Sequence, residues 1–280
     1  MKILFSLFLL LLSPALFALE EWRTPDADNI VYLQLDGGTV IIELAPFIAP
    51  KHVARFKDLV NEGFYDGLDF YRVIDGFVAQ AGDITEQKLT AHSSPLGAEF
   101  SRKAPADSNF TVVQSPDFIA PQTGFLHGFI AGRDPTTNEE WLLHCPGNVA
   151  MARNTEINSA TSDFYIVIGQ APRHLDRNMS SFGHVLYGMP VIQALHRAEN
   201  NNPSGIIEKP EKRSKIISAK MASKLPIEQR INIQVQEPAS VAMQQRLTSA
   251  KTLDNEFFYF KGNGNLDMCY YQLKTRIVDK

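Results

Sequence analysis

Phe70-Tyr71-Arg72-Val73-Ile74-Asp75-Gly76-Phe77-Val78-Ala79-Gln80-Ala81-Gly82-Asp83 lies a quarter of the way along the chain. Two short β-rich runs, Leu68 to Val73 and Phe77 to Gln80, flank Asp75-Gly76, a dipeptide suited to a tight turn. The pattern continues on both sides. Upstream, Ile30 to Leu35 and Thr39 to Leu44 read as strands joined through Asp36-Gly37-Gly38. Pro50 then opens a helix with Val53, Phe56 and Val60 on one face, ended by Gly63. Downstream, Asn148 to Ala152, Asp163 to Ile168 and Ser181 to Tyr187 read as strands. Met189-Pro190 opens a second helix, with Val191, Leu195 and Ala198 along one side. Many short strands and few helices predict a mostly β fold, an antiparallel sheet or barrel.

The intervening and trailing segments read differently. Residues 84–124 are polar and carry Pro95, Pro105, Pro116 and Pro121, which predicts a long loop with one strand at Phe110 to Gln114. Asn200 to Gly205 reads as a linker. Beyond it, Lys215 to Met221 and Arg230 to Gln236 alternate as strands do, and Pro238 to Asp254 fits a helix. Glu256 to Phe260 and Leu266 to Leu273, around Gly262-Asn263-Gly264-Asn265, predict a hairpin. This tail is too short to bury a substantial core alone.

The spacing from Phe70 to Asp83 resembles the F-x-R-x-x-x-G-F-x-x-Q-x-G-D signature of the cyclophilins, which are peptidyl-prolyl cis-trans isomerases. Three further segments agree in order. Val31 to Leu44, the helix start and Gly63-Phe64-Tyr65-Asp66-Gly67 resemble the family's opening hairpin, first helix and approach to the signature. Gly147 to Arg153 and Asn158 to Ile166 resemble its bacterial "MAR…NSATSQFFI" segment. Leu175-Asp176, Phe182 to Val185, Gly188-Met189 and Val191-Ile192 resemble its closing strand and second helix. The resemblance covers residues 29–200. It implies a closed antiparallel β-barrel with two capping helices, and we expect a small α+β C-terminal extension packed on it. The expected division is a leader at 1–18, a barrel domain at 28–206 and an extension at 207–280.

The resemblance also implies roles. Arg72 matches the residue that donates to the prolyl nitrogen, and Gln80 the residue that orients it and holds the substrate backbone. Phe77, Met151 and Tyr165 match positions of the proline pocket, and Ala152 and Arg153 positions whose backbone pairs with the peptide. Asp163, in place of the usual Gln, and His174, where many eukaryotic members carry Trp, fall with Leu175 among the substrate-binding positions. The implied substrates are proline-containing polypeptides. No cofactor and no metal is required. A peptide-binding chaperone with little turnover is the alternative. Loss of Arg72 or Gln80 would have favoured it, and both are present.

Composition bounds these readings. The chain has 280 residues, 44% hydrophobic and 21% charged, which excludes wholesale disorder, collagen and coiled coil. A net charge of −4 argues against nucleic acid as a partner. The charge is uneven: residues 207–280 carry 13 basic and 8 acidic side chains. Lys2, the apolar run Ile3 to Leu12 and the small residue Ala18 read as a cleavable export signal. The mature chain is expected to be periplasmic or secreted, with no stable membrane insertion. Cys145 and Cys269 could pair in an oxidising compartment or remain two buried thiols. His127, His144 and Cys145 match no metal-site spacing. No G-x-S-x-G, H-E-x-x-H, P-loop or G-x-G-x-x-G motif occurs.

Overall fold

Eight antiparallel strands close on themselves in a computed structural model that describes residues 21–279, apart from residues 89, 171, 200 and 201. The expected leader lies outside the described residues, as do the first two residues of the expected linker. Around the barrel the strands run Asn148–Met151, Phe164–Val167, Val78–Gly82, Asp69–Val73, Ser214–Met221, Ile30–Leu35, Gly38–Leu44 and Ser181–Tyr187, which returns to the first. Side chains alternate across each strand. Phe70, Phe164 and Phe182 therefore point inward, where Phe164 meets Phe56, Tyr65 and Phe70, and Phe182 meets Phe56.

Phe56 comes from the first helix, Pro50–Asn61, which caps one end of the barrel. Proline suits the first helical position because its missing N–H would have had no partner there. Val53, Phe56, Leu59 and Val60 are buried at helical spacing. The helix lacks a side-chain cap at Ala49. Its free amides at Lys51 and His52 donate instead to the Glu99 carboxylate, at 3.0 Å each to Oε2. The second helix is a short turn, Met189–Gln193.

Three sequence expectations are corrected. The barrel does not end at residue 206. Ser214–Met221 lies between Ile30–Leu35 and Asp69–Val73 and closes the sheet. Residues 84–124 are largely loop, as expected, but they carry more than one strand and lead into others. Arg102–Lys103, Glu139–Leu142, Phe129–Asp134, Gln122–Leu126 and Thr111–Gln114 form a second, five-stranded sheet in that order, of which only the last strand was expected. The hairpin expected after Glu256 does not form. Residues 268–270 make a single helical turn, the last strand is Thr275–Ile277, and Phe257 and Phe260 are exposed.

The extension is packed on the rest, as expected. Ile233–Gln236 pairs with Thr275–Ile277 and with Trp22–Arg23 from the other end of the chain. Ile233 and Val235 bury against Ile30, Ile41 and Leu186 of the barrel. The helix Val241–Thr252, capped by Ser240 Oγ accepting from the Met243 N–H, buries Met243 and Leu247 against Phe125 and Trp141 of the second sheet and Leu143 just after it. A disulfide joins Cys145 to Cys269 at that junction.

Candidate active site

Arg72 and Gln80 stand opposite one another in the register of neighbouring strands. Arg72 Nη1 donates to Gln80 Oε1 at 3.1 Å, and Arg72 Nε donates to the Ser204 carbonyl at 2.8 Å. The segment expected to be a free linker thus holds the arginine. Val73 N–H donates to the Gly205 carbonyl, and Ile207 N–H to the Tyr71 carbonyl, so this segment pairs antiparallel along the edge of the strand. Ser204 carries no sequence signal for this role, because the contact joins residues 132 apart.

Gln80 Nε2 donates to the Tyr71 hydroxyl, which donates to Asp163 Oδ2 at 2.7 Å. Strict alternation would set Tyr71 and Arg72 on opposite faces. A register shift between Asp69 and Arg72 lets both reach the outer side. Burial pushes the Tyr71 hydroxyl well above the ordinary phenol range, and the Asp163 charge adds to the effect, so Tyr71 remains a donor. Burial likewise raises the Asp163 carboxyl above its ordinary range, against the bonds it accepts from Tyr71, the Asp83 N–H and Ser162.

Beside these polar groups lies an apolar floor. Tyr165 and Val167 point outward from their strand and bury with Val78 and Ala150, and Phe77, Ala152 and Met179 pack on them. Tyr165 Oη lies 2.9 Å from Nε2 of the fully buried His144, whose Nδ1 faces Asp176 Oδ1 at 3.2 Å. A carboxylate only accepts, so Nδ1 carries a proton toward Asp176. Arg173 bonds Asp176 and Asp117 behind it. Tyr165 is expected from the sequence; His144, its buried support, carries no such signal. His174 is exposed and stacks over Phe77, with ring centres 6.2 Å apart and planes 10° apart. Leu175 is half-buried in the same turn, Arg173–Leu175.

Met151 is corrected as a pocket residue. It points into the barrel interior with Phe56 and Phe164, and the sulfur on the outer face is that of Met179. Arg153 braces the rim, donating to the carbonyls of Asn154 and Asn178 at 2.8 and 2.9 Å. Ala152 N–H is taken by the Asp163 carbonyl at 2.8 Å, so at that residue an incoming peptide meets the carbonyl. Ala152, Arg153, Tyr71, Gln80 and Asp163 line a cleft of ≈ 440 Å³ next to the floor. His127 bonds Asn109, and Cys145 is in the disulfide, so the three residues weighed as metal ligands serve elsewhere.

This arrangement suits rotation about an X-Pro bond. Amide resonance sets a barrier of about 18–20 kcal/mol. In the twisted state the prolyl nitrogen turns pyramidal and gains a lone pair. The apolar floor has the character to receive a proline ring. Arg72, steadied by Gln80 and Ser204, is placed where a guanidinium would donate to the lone pair as it forms. The bond strengthens only in the twisted state, which lowers the barrier instead of deepening the ground state. No covalent bond breaks.

The comparisons agree with this chemistry. The family described as cyclophilin type peptidyl-prolyl cis-trans isomerase/CLD matches residues 30–221. A probable peptidyl-prolyl cis-trans isomerase of Brucella suis is 32% identical over 195 residues, covering 70% of this chain and 85% of the relative. Peptidyl-prolyl cis-trans isomerase A of Dickeya dadantii is 28% identical over 200 residues, 69% of this chain and 85% of its own. The crystal structure of cyclophilin AquaCyp293 from Hirschia baltica matches with a TM-score of 0.73 at 32% identity, over 92% of this chain and 93% of that one. That span takes in the second sheet and the extension as well as the barrel. The family match begins on the first barrel strand and ends with the strand that closes the barrel, and the chain belongs to the cyclophilin-type peptidyl-prolyl cis-trans isomerases.

Proposed function

We propose that this isomerase assists the folding of exported proteins, rotating X-Pro bonds in their unfolded or extended chains in the periplasm or outside the cell. The observation that carries the reading is the Cys145–Cys269 disulfide. Such bonds persist in oxidising compartments and are rare in the cytosol. The charged, apolar and small-residue pattern of residues 2–18 supports it. Among the described residues no helix is long and apolar enough to cross a membrane. Uncatalysed isomerisation takes tens to hundreds of seconds, long enough to limit folding of a newly exported chain.

Fractionation of cells expressing the full chain tests the reading. The expected result is an exported form beginning at Leu19 with no free thiol. A protein retained in the cytosol, uncut and with both thiols free, would overturn it.

A further inference from the structure

We propose that Tyr71 and Asp163 are positioning residues for the isomerisation, fixing Gln80 and through it Arg72 by a hydrogen-bond chain that runs in one direction. The proposal rests on the isomerase activity and is independent of export. The direction follows from chemistry. An ionised Asp163 can only accept, so the Tyr71 hydroxyl spends its proton there, at 2.7 Å. The hydroxyl oxygen is then open to a donor, which selects the NH2 end of Gln80. The amide oxygen is left facing Arg72 Nη1 at 3.1 Å. The two ends of a glutamine amide have nearly the same shape, so packing alone would not choose between them. The opposite orientation would set an NH2 group against the guanidinium, donor against donor.

The seat of Asp163 is built for a carboxylate. Its Oδ1 accepts from the Asp83 N–H at 3.1 Å. A side chain on Gly82 would begin 2.0 Å from that same oxygen, so only glycine leaves the space. The groups facing the carboxylate are Tyr71 from the neighbouring strands, Asp83 and Ser162 from the adjoining turns, and Tyr65 from below. Burial disfavours the Asp83 charge, but bonds from the Thr85 hydroxyl and the Lys88 and Thr85 amides outweigh it and hold Asp83 ionised. Asp163 is thus the member of the pair that takes a proton first, and burial together with the Asp83 charge raises the pH at which it does so. A protonated Asp163 no longer anchors the chain by charge, and Gln80 is freed to turn. The sequence suggests substrate contact for Asp163; the structure lines the cleft with it and bonds its carboxylate to Tyr71.

The test uses the mature chain and an X-Pro peptide. Tyr71→Phe keeps the ring and removes the hydroxyl. It is expected to lower kcat about tenfold, the loss of one hydrogen bond in a charge-terminated chain, with KM changed by less than about twofold. In a Gln80→Ala background the same substitution is expected to cost nothing further, since its route to Arg72 is gone. Acidification is expected to lower wild-type kcat as Asp163 protonates and to leave the Tyr71→Phe profile flat over that range. The Gln80 side-chain amide resonances, followed by NMR, are expected to shift over the same range in the wild type and not in Tyr71→Phe. Full kcat in Tyr71→Phe, an undiminished loss in the Gln80→Ala background, or Gln80 resonances blind to the hydroxyl would each overturn the proposal.

Discussion

Arg72 is braced on two sides, by Gln80 and by the Ser204 carbonyl, and a guanidinium so held would meet a developing lone pair without first being reoriented. Arg72→Ala is therefore expected to lower kcat by about a hundredfold while peptide affinity, measured by titration, changes far less. Wild-type turnover in that variant would remove the arginine from the mechanism. Met151 calls for the opposite outcome. Met151→Ala opens a cavity among Phe56 and Phe164 and is expected to cost about 2–5 kcal/mol in denaturant unfolding, with KM for the peptide unmoved. A raised KM at unchanged stability would return it to the pocket. Arg72, Phe77, Gln80 and Tyr165 were legible in the sequence because the first three share one short stretch with fixed spacing and the last lies on the clearest strand. Tyr71 and Ser204 were not. One depends on a local shift in register and the other on a contact across more than a hundred residues, and neither leaves a periodic trace. Met151 misled because the face of a strand cannot be read where both sides of the sheet are buried.

Among the elements, the barrel strands and the first helix were legible from alternation and helical spacing, and the second sheet was not. Its strands are short, and Glu140, fully buried, interrupts the apolar pattern. Arg102, Arg133 and Ser108 bond its carboxylate, and none of the three is near it in sequence except Arg133. A second buried carboxylate ties the amino-terminal strand to the barrel. Arg23 Nη1 and Nη2 donate to the two oxygens of Glu43 at 2.6 and 2.8 Å, with His184 at 3.3 Å. Burial alone would push the Glu43 carboxyl up, but Arg23 and His184 outweigh it and hold the carboxyl below its ordinary range. A depressed folded-state value means stability that is present above the unfolded-state value of about 4.3 and lost as pH falls below it. Thermal unfolding of the wild type is expected to drop through that window. Glu43→Gln is expected to be less stable at neutral pH by roughly 3 kcal/mol and to show a shallower acid limb. Parallel acid limbs in the two proteins would show that the pair contributes nothing.

For the molecule as a whole, the extension meets the barrel and second sheet through apolar side chains and a disulfide. The ion pairs Arg213–Asp69 and Lys220–Asp66, from the basic tail segment, lie at the start of the closing strand and within it. The excess of basic residues after 206 hinted at two bodies, but the chain crosses that boundary to complete the sheet. A protein ending at residue 206 is accordingly expected to lack a cooperative unfolding transition, because Ile30–Leu35 and Asp69–Val73 lose the strand between them. A sharp transition by circular dichroism would show that seven strands suffice. The placement of that eighth strand also orders events in time. The strands bearing Arg72 and Gln80 leave the ribosome about 140 residues before Ser214–Met221 does, a delay on the order of ten seconds at roughly 5–20 residues per second. Throughout that interval two strand edges lack their neighbour and are open to pairing with other chains. The fold that holds Arg72 and Gln80 is therefore completed only late, when the strand that covers both edges has emerged.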